Sequence, residues 1–198
     1  MPHIDIVPES DATGELAALY TRYGNPDGSV DNVLKVHSLN PASLEAHCAL
    51  YVQAMHRPSP VSRAEREMVG VTVSRLNGCD YCRVHHAKGL ERLLPSDRRP
   101  IAEQLSQGDE TGLTERESAM CNYARKLTTD PATMTRADCD ALRTAGLTDR
   151  EILDVAQSAA YFAYANRIVL GLGAELGVGE GAAGEHPPES RIHDEPPT

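Results

Sequence analysis

The chain has 198 residues, five cysteines, no tryptophan, one phenylalanine and a formal net charge of −10 at pH 7. That length suits one ordinary domain, whose core must come from Leu, Val, Ile, Ala, Met and Tyr. The acidic balance argues against nucleic acid and anionic membranes as partners, and no apolar run approaches the roughly eighteen residues of a membrane span.

The opening "MPHIDIVPES" lacks the basic-then-apolar pattern of an export signal, so a cytoplasmic location is expected. There cysteines are reduced by default, and a close pair points to redox or metal chemistry rather than to a structural staple. Periodicity predicts helices over 13–23 and 29–38. The next opens with Asn40 as N-cap and Pro41 at N1, with a stripe of Leu44, Cys48, Tyr51, Val52 and Met55. "SRAE" at 62–65, "TERE" at 114–117 and "TDRE" at 148–151 each place Glu three residues after Ser or Thr, before a periodic apolar segment. This is the capping-box pattern. Thr135 with Asp138 is a weaker relative, and its helix should stop at Gly146. A short helix is expected near 96–106 and a long one over 149–176. The Ala- and Gly-rich character of that last helix suits burial on several sides, as in an oligomer or at the centre of a monomer. No segment alternates with period two, so no sheet is expected. After Gly177 the composition turns to Gly, Pro and Glu, which cannot bury enough apolar surface to fold alone.

The chemistry concentrates in "NGCDYCRVHH", residues 77–86. Asn77-Gly78 should end one helix and leave Cys79 at or beside the N-cap of the next. Cys79 and Cys82 then share a face at i and i+3, about 5 Å apart at Cα, within reach of a reversible disulfide. First-turn N–H groups favour thiolate there, while Asp80 opposes it. His86 lies one turn beyond Cys82, roughly 6 Å away at Cβ, but about 10.5 Å of helix rise from Cys79. That spacing makes Cys82 the expected nucleophile, His86 its base and Cys79 the resolving thiol. His85 points about 100° away and is expected at the surface. Covalent haem is excluded because Arg83, not histidine, follows the second cysteine. Cys79, Cys82 and His86 supply three of the four ligands a structural zinc wants, so zinc with a carboxylate or water as fourth ligand stays open. Cys48 and Cys121 fall on apolar stripes and should pack as small hydrophobes. Cys139 is left unassigned.

Glu67, then Cys79-x-x-Cys82, then His86 four residues on, resembles the alkyl hydroperoxidase D-like branch of the carboxymuconolactone decarboxylase-like superfamily. "LTERESAMCNYARKLTTDP" and "AGLTDREILDVAQSAAYFAYANRI" extend the likeness to its uncharacterised peroxidase-related proteins, over roughly residues 30–176. The resemblance implies an all-α multi-helix bundle, a homo-oligomer, no cofactor, and hydroperoxide reduction by the thiol pair at the expense of a thiol reductant. It also implies that Cys82 becomes the sulfenic acid and that Glu67 joins His86 in a proton relay, leaving Glu65 to its cap. Well-characterised members carry histidine just before the second cysteine; here it is Tyr81, a poor base near neutral pH. The expected organisation is an extension over 1–28, a helical domain over 29–176 and a tail over 177–198. The rival from another class is a non-catalytic zinc-binding or redox-sensing protein. A decarboxylase of this superfamily ranks lower, because that branch generally lacks the cysteine pair.

Overall fold

The expected capping boxes form, and they decide where the helices begin. In the computed structural model, which describes residues 1–176, Ser62, Thr114 and Thr148 each accept from the backbone N–H three residues on. Glu65, Glu117 and Glu151 accept in return from the cap N–H at 2.7–2.8 Å. Asp138 does the same for Thr135 at 2.7 Å. The described residues form nine α-helices and no strand: α1 (Gly14–Tyr23), α2 (Asn32–Lys35), α3 (Pro41–Tyr51), α4 (Arg63–Leu76), α5 (Asp80–Leu93), α6 (Pro100–Gln107), α7 (Glu115–Thr129), α8 (Arg136–Thr144) and α9 (Asp149–Leu172). The all-α architecture is thus as expected. The Gly/Pro/Glu-rich tail lies outside the described residues.

Three helices are shorter than the periodicity suggested. The segment expected over 29–38 is helical only in α2, then tightens into i→i−3 bonds such as His37 N–H to the Leu34 carbonyl. Asn40 ends it, because a residue before proline avoids the helical region; its φ and ψ are −141° and 87°. Pro100 sets the start of α6 from N1. At the end of α9, Gly173 takes a left-handed φ of 67°. A Cβ there would meet the His3 ring at 2.7 Å, and His3 N–H donates to the Leu172 carbonyl. The N-terminal segment is thereby fixed across the end of α9.

One irregularity went unforeseen. After Tyr51, α3 widens into a π turn over Val52–His56, where the Arg57 N–H reaches the Val52 carbonyl. The buried Arg66 guanidinium donates to the carbonyls of Ala54 and Arg57, and the Ser158 hydroxyl also donates to Ala54. Carbonyls displaced from the regular ladder therefore still have donors, as burial requires.

Helix α4 is the spine, buried continuously from Arg66 to Ser74. Val69 and Val73 pack with Met120, Leu142, Val155 and Phe162 of α7, α8 and α9. Met68 and Val71 pack on the other side with Leu90, Ile101, Leu105 and Cys121 of α5, α6 and α7. Helix α1 covers α3 through Leu16, Leu19, Tyr20, Tyr23, Leu44 and Cys48. Gly70 is required where α4 meets α9: a Cβ there would lie 2.3 Å from Phe162. Arg116 on α7 bonds Glu65 and Glu151 at 2.7 Å each, and Arg98 bonds Glu117 at 2.7 Å. The three glutamates that cap α4, α7 and α9 are thus each held by an arginine.

Candidate active site

The turn between α4 and α5 sets the position of the first thiol. Gly78 takes a left-handed φ of 69°. Gly78 N–H then donates to the Arg75 carbonyl and Cys79 N–H to the Ser74 carbonyl, the paired closure of a Schellman motif. Cys79 therefore closes α4 and opens α5 at once, with its sulfur accepting from the Cys82 N–H at 3.4 Å. Asn166 of α9 braces the turn. It accepts from the Asn77 amide at 2.9 Å and donates to the Ser74 hydroxyl at 3.1 Å.

Cys79 and Cys82 are both buried free thiols, with sulfurs 2.8 Å apart. Either sulfur can donate in that contact. The Cys82 N–H aimed at Cys79 favours negative charge on Cys79 over Cys82 in the resting pair. The Cys79 thiol is accordingly pulled below its usual value, first by the bond from Cys82 and against the cost of burial. Cys82 is pushed up, by its bond to Cys79 and by burial. The Asn166 amide acts on both thiols in the opposite sense to burial, easing their ionisation.

Glu67 of α4 and His86 of α5 come together: Glu67 Oε2 is 2.7 Å from His86 Nδ1. Arg63, one turn before Glu67, approaches its other oxygen at 3.8 Å and reaches His56 Nδ1 at 3.1 Å. Glu65 is spent on the cap of α4, as expected.

Cys82 and His86 share a cavity of about 40 Å³ between α3, α5 and α9, large enough for water. Tyr51, Tyr161 and Phe162 form its aromatic walls, with His47 and Cys48 from α3 and Tyr81 and His85 from α5. The Phe162 ring meets the His86 ring edge to face at 4.5 Å. Cys79 instead borders a surface groove with Gly78, Asp80, Val169, Leu170 and Ala174. The two cysteines thus line different hollows, although the Cys79 side chain itself is fully buried.

One expectation is corrected. His85 is not at the surface: it is buried, lines the cavity and stacks parallel to Tyr81 with centroids 6.2 Å apart. The residues packed over this face of α5 account for the change; they include Tyr81 and Val33, whose N–H donates to the Tyr81 hydroxyl at 3.4 Å. Cys48 and Cys121 are buried as expected, and burial pushes their thiols up to about 12 and about 11. The cavity residues His47, Tyr161 and Phe162 and the brace Asn166 were missed. Asn166 had a signal, as an amide within the apolar run "AYANRIVL". Among the described residues no group of three or more His, Cys, Asp or Glu side chains is arranged to hold a metal ion. No described helix is long and apolar enough to cross a membrane.

The carboxymuconolactone decarboxylase family model matches residues 41–126. An uncharacterized peroxidase-related protein from Silicibacter sp. TM1040 is 32% identical, with a TM-score of 0.73 over 80% of this chain and 82% of its own. A second, from Ralstonia eutropha JMP134 and described as an alkylhydroperoxidase AhpD core, is 24% identical, with a TM-score of 0.81 over 92% and 96%. The debrominase Bmp8, solved as a C82A variant with 2,3,4-tribromopyrrole, is 17% identical, with a TM-score of 0.72 over 92% and 95%. No curated protein matches.

Proposed function

The chain belongs to the carboxymuconolactone decarboxylase family, among its alkyl hydroperoxidase D-like, peroxidase-related members, and from that premise we propose that it reduces hydroperoxides with Cys82 and Cys79. The observation that carries this reading is a thiol pair 2.8 Å apart whose second member opens on a cavity shared with His86.

The chemistry follows from those positions. His86, oriented by Glu67, accepts the Cys82 proton. The thiolate attacks the terminal peroxide oxygen, forming a sulfenic acid and releasing an alcohol once the leaving oxygen is protonated. Cys79 then displaces water from the sulfenic sulfur to close the disulfide. A thiol reductant reopens it; Cys79 borders a surface groove although its own side chain is fully buried. Tyr81 stands where the family resemblance leads one to expect a histidine, which leaves Glu67 and His86 as the relay. A homo-oligomer is part of the proposal, supported by Leu153 and Leu170 standing exposed on α9; light scattering should give a mass above that of one chain.

The test is peroxide consumption by reduced protein with a dithiol reductant, using cumene hydroperoxide, tert-butyl hydroperoxide and hydrogen peroxide. Cys82→Ser should abolish it. Cys79→Ser should react once and stall as a sulfenic acid at Cys82 that a trapping reagent labels. Sulfenic acid trapped at Cys79 in the Cys82→Ser protein reverses the roles, and stoichiometric zinc in purified protein favours the non-catalytic rival. The aromatic walls also suit a ring-bearing electrophile, so a small bromoaromatic belongs in the same assay; its debromination without peroxide turnover would replace the reading.

A further inference from the structure

Breaking a peroxide O–O bond leaves a strongly basic alkoxide, and a cavity walled mainly by aromatic and apolar side chains needs a proton donor for it. We propose that Tyr161 is that donor, a general acid acting from the α9 side of the cavity that Cys82 lines from α5; the inference rests on the peroxidase reading above.

Displacement at oxygen proceeds in line, so the leaving oxygen departs on the side away from the attacking sulfur. Cys82 comes from α5, and the donor must come from another wall. His86 lies on α5 one turn beyond Cys82, with Nδ1 committed to Glu67, so the proton that its Nε2 takes from Cys82 stays on the attacking sulfur's own helix. Tyr161 comes from α9, is buried, and lines the same cavity. Its hydroxyl lies 3.5 Å from His47 Nε2, at the long end of the hydrogen-bond range. That hydroxyl is therefore not locked to the imidazole and can turn to an incoming oxygen. Burial, with the nearby Tyr51 and Cys82 adding to it, raises the phenol well above its usual value, so it is present as O–H at any working pH.

The step balances. The Cys82 thiolate bonds to the terminal oxygen of R–O–OH, the O–O bond breaks, and the sulfur is oxidised to S–OH. The alkoxide takes the Tyr161 proton to become R–OH. The phenolate recovers the proton that His86 removed from Cys82, passed through water in the cavity. Net, the thiol proton ends on the alcohol.

The test compares wild type and Tyr161→Phe in single turnovers of reduced protein with tert-butyl hydroperoxide and with peracetic acid. The alkyl peroxide releases a basic alkoxide, the peracid a carboxylate that needs no proton. Tyr161→Phe should slow the first by on the order of 10²-fold and leave the second nearly unchanged. Equal loss on both substrates, or loss on neither, overturns the proposal. A second measurement does not depend on how the variant folds. Across hydroperoxides whose alcohols differ in acidity, wild-type rates should be nearly flat, and a steep dependence overturns the proposal. Wild type that oxidises with none of these substrates removes the peroxidase reading itself, and this inference with it.

Discussion

Glu67 Oε2 and His86 Nδ1 lie 2.7 Å apart, and the Glu67 residue is only 2% exposed. A carboxylate so shielded from water holds the imidazole in one orientation and leaves Nε2 as its remaining basic site.

Glu67→Gln keeps the size and removes the charge, while His86→Ala removes the base. Each should slow oxidation of Cys82 by roughly 10²–10⁴-fold in stopped-flow measurements. Because the two act as a unit, the double variant should be little slower than His86→Ala alone. A Glu67→Gln protein reacting at the wild-type rate would remove Glu67 from the relay.

The thiol pair predicts a titration. Cys79 owes its lowered pKa first to the bond from Cys82, so thiolate absorbance should grow in at a pH below that of an ordinary cysteine. Removing the donor in Cys82→Ala should move that midpoint upward. An unmoved midpoint would mean that the helix terminus and Asn166, rather than the partner thiol, hold Cys79 ionised.

Gly70→Ala tests the crossing of α4 and α9. Its new methyl would sit 2.3 Å from the Phe162 ring, and that ring has no exposed surface through which to yield. Overpacking of this kind typically costs about 1–3 kcal/mol, read as a lower urea midpoint at constant slope. Phe162→Leu on the Gly70→Ala background should recover part of the loss. The ring also packs on His86, so the single variant should lose activity as well.

Acid stability should track the caps. Glu151 is lowered from 4.5 to about 2, by the bonds from Thr148 first and Arg116 after. A carboxylate with a depressed folded pKa contributes stability above its unfolded value and loses it as pH falls through the folded one. Glu151→Gln should therefore be less stable than wild type near pH 6, with the gap closing between about pH 4.5 and 2. A constant gap in denaturant titrations across that range would assign the effect to packing.

The helical class and the starts of α4, α7 and α9 were legible, because each depends on short spacings within or beside a helix; the meeting of Glu67 with His86, 19 residues apart on two helices, was expected only from the family resemblance. Capping boxes are local, and so is the Gly78 turn that delivers Cys79. The cavity was not legible. It needs Tyr51 and His47 from α3 to face Phe162 and Tyr161 of α9, more than a hundred residues later, and no local pattern encodes that meeting. His85 was misjudged for the same reason. Helical angle tells where a residue points relative to its neighbours, but whether that direction is solvent depends on what packs there.

The π turn at Val52–His56 is, geometrically, a helix carrying one residue too many. Deleting one residue there would restore a regular helix, at the expense of turning everything before it by about 100° relative to everything after. Tyr51, His47 and Cys48 would then leave the cavity wall together. A relative one residue shorter at this point should show a single-position gap in alignment, and a different set of α3 side chains facing its thiols. The length of this short segment thus bears on which substrates the pocket admits, alongside the identity of any one residue in it.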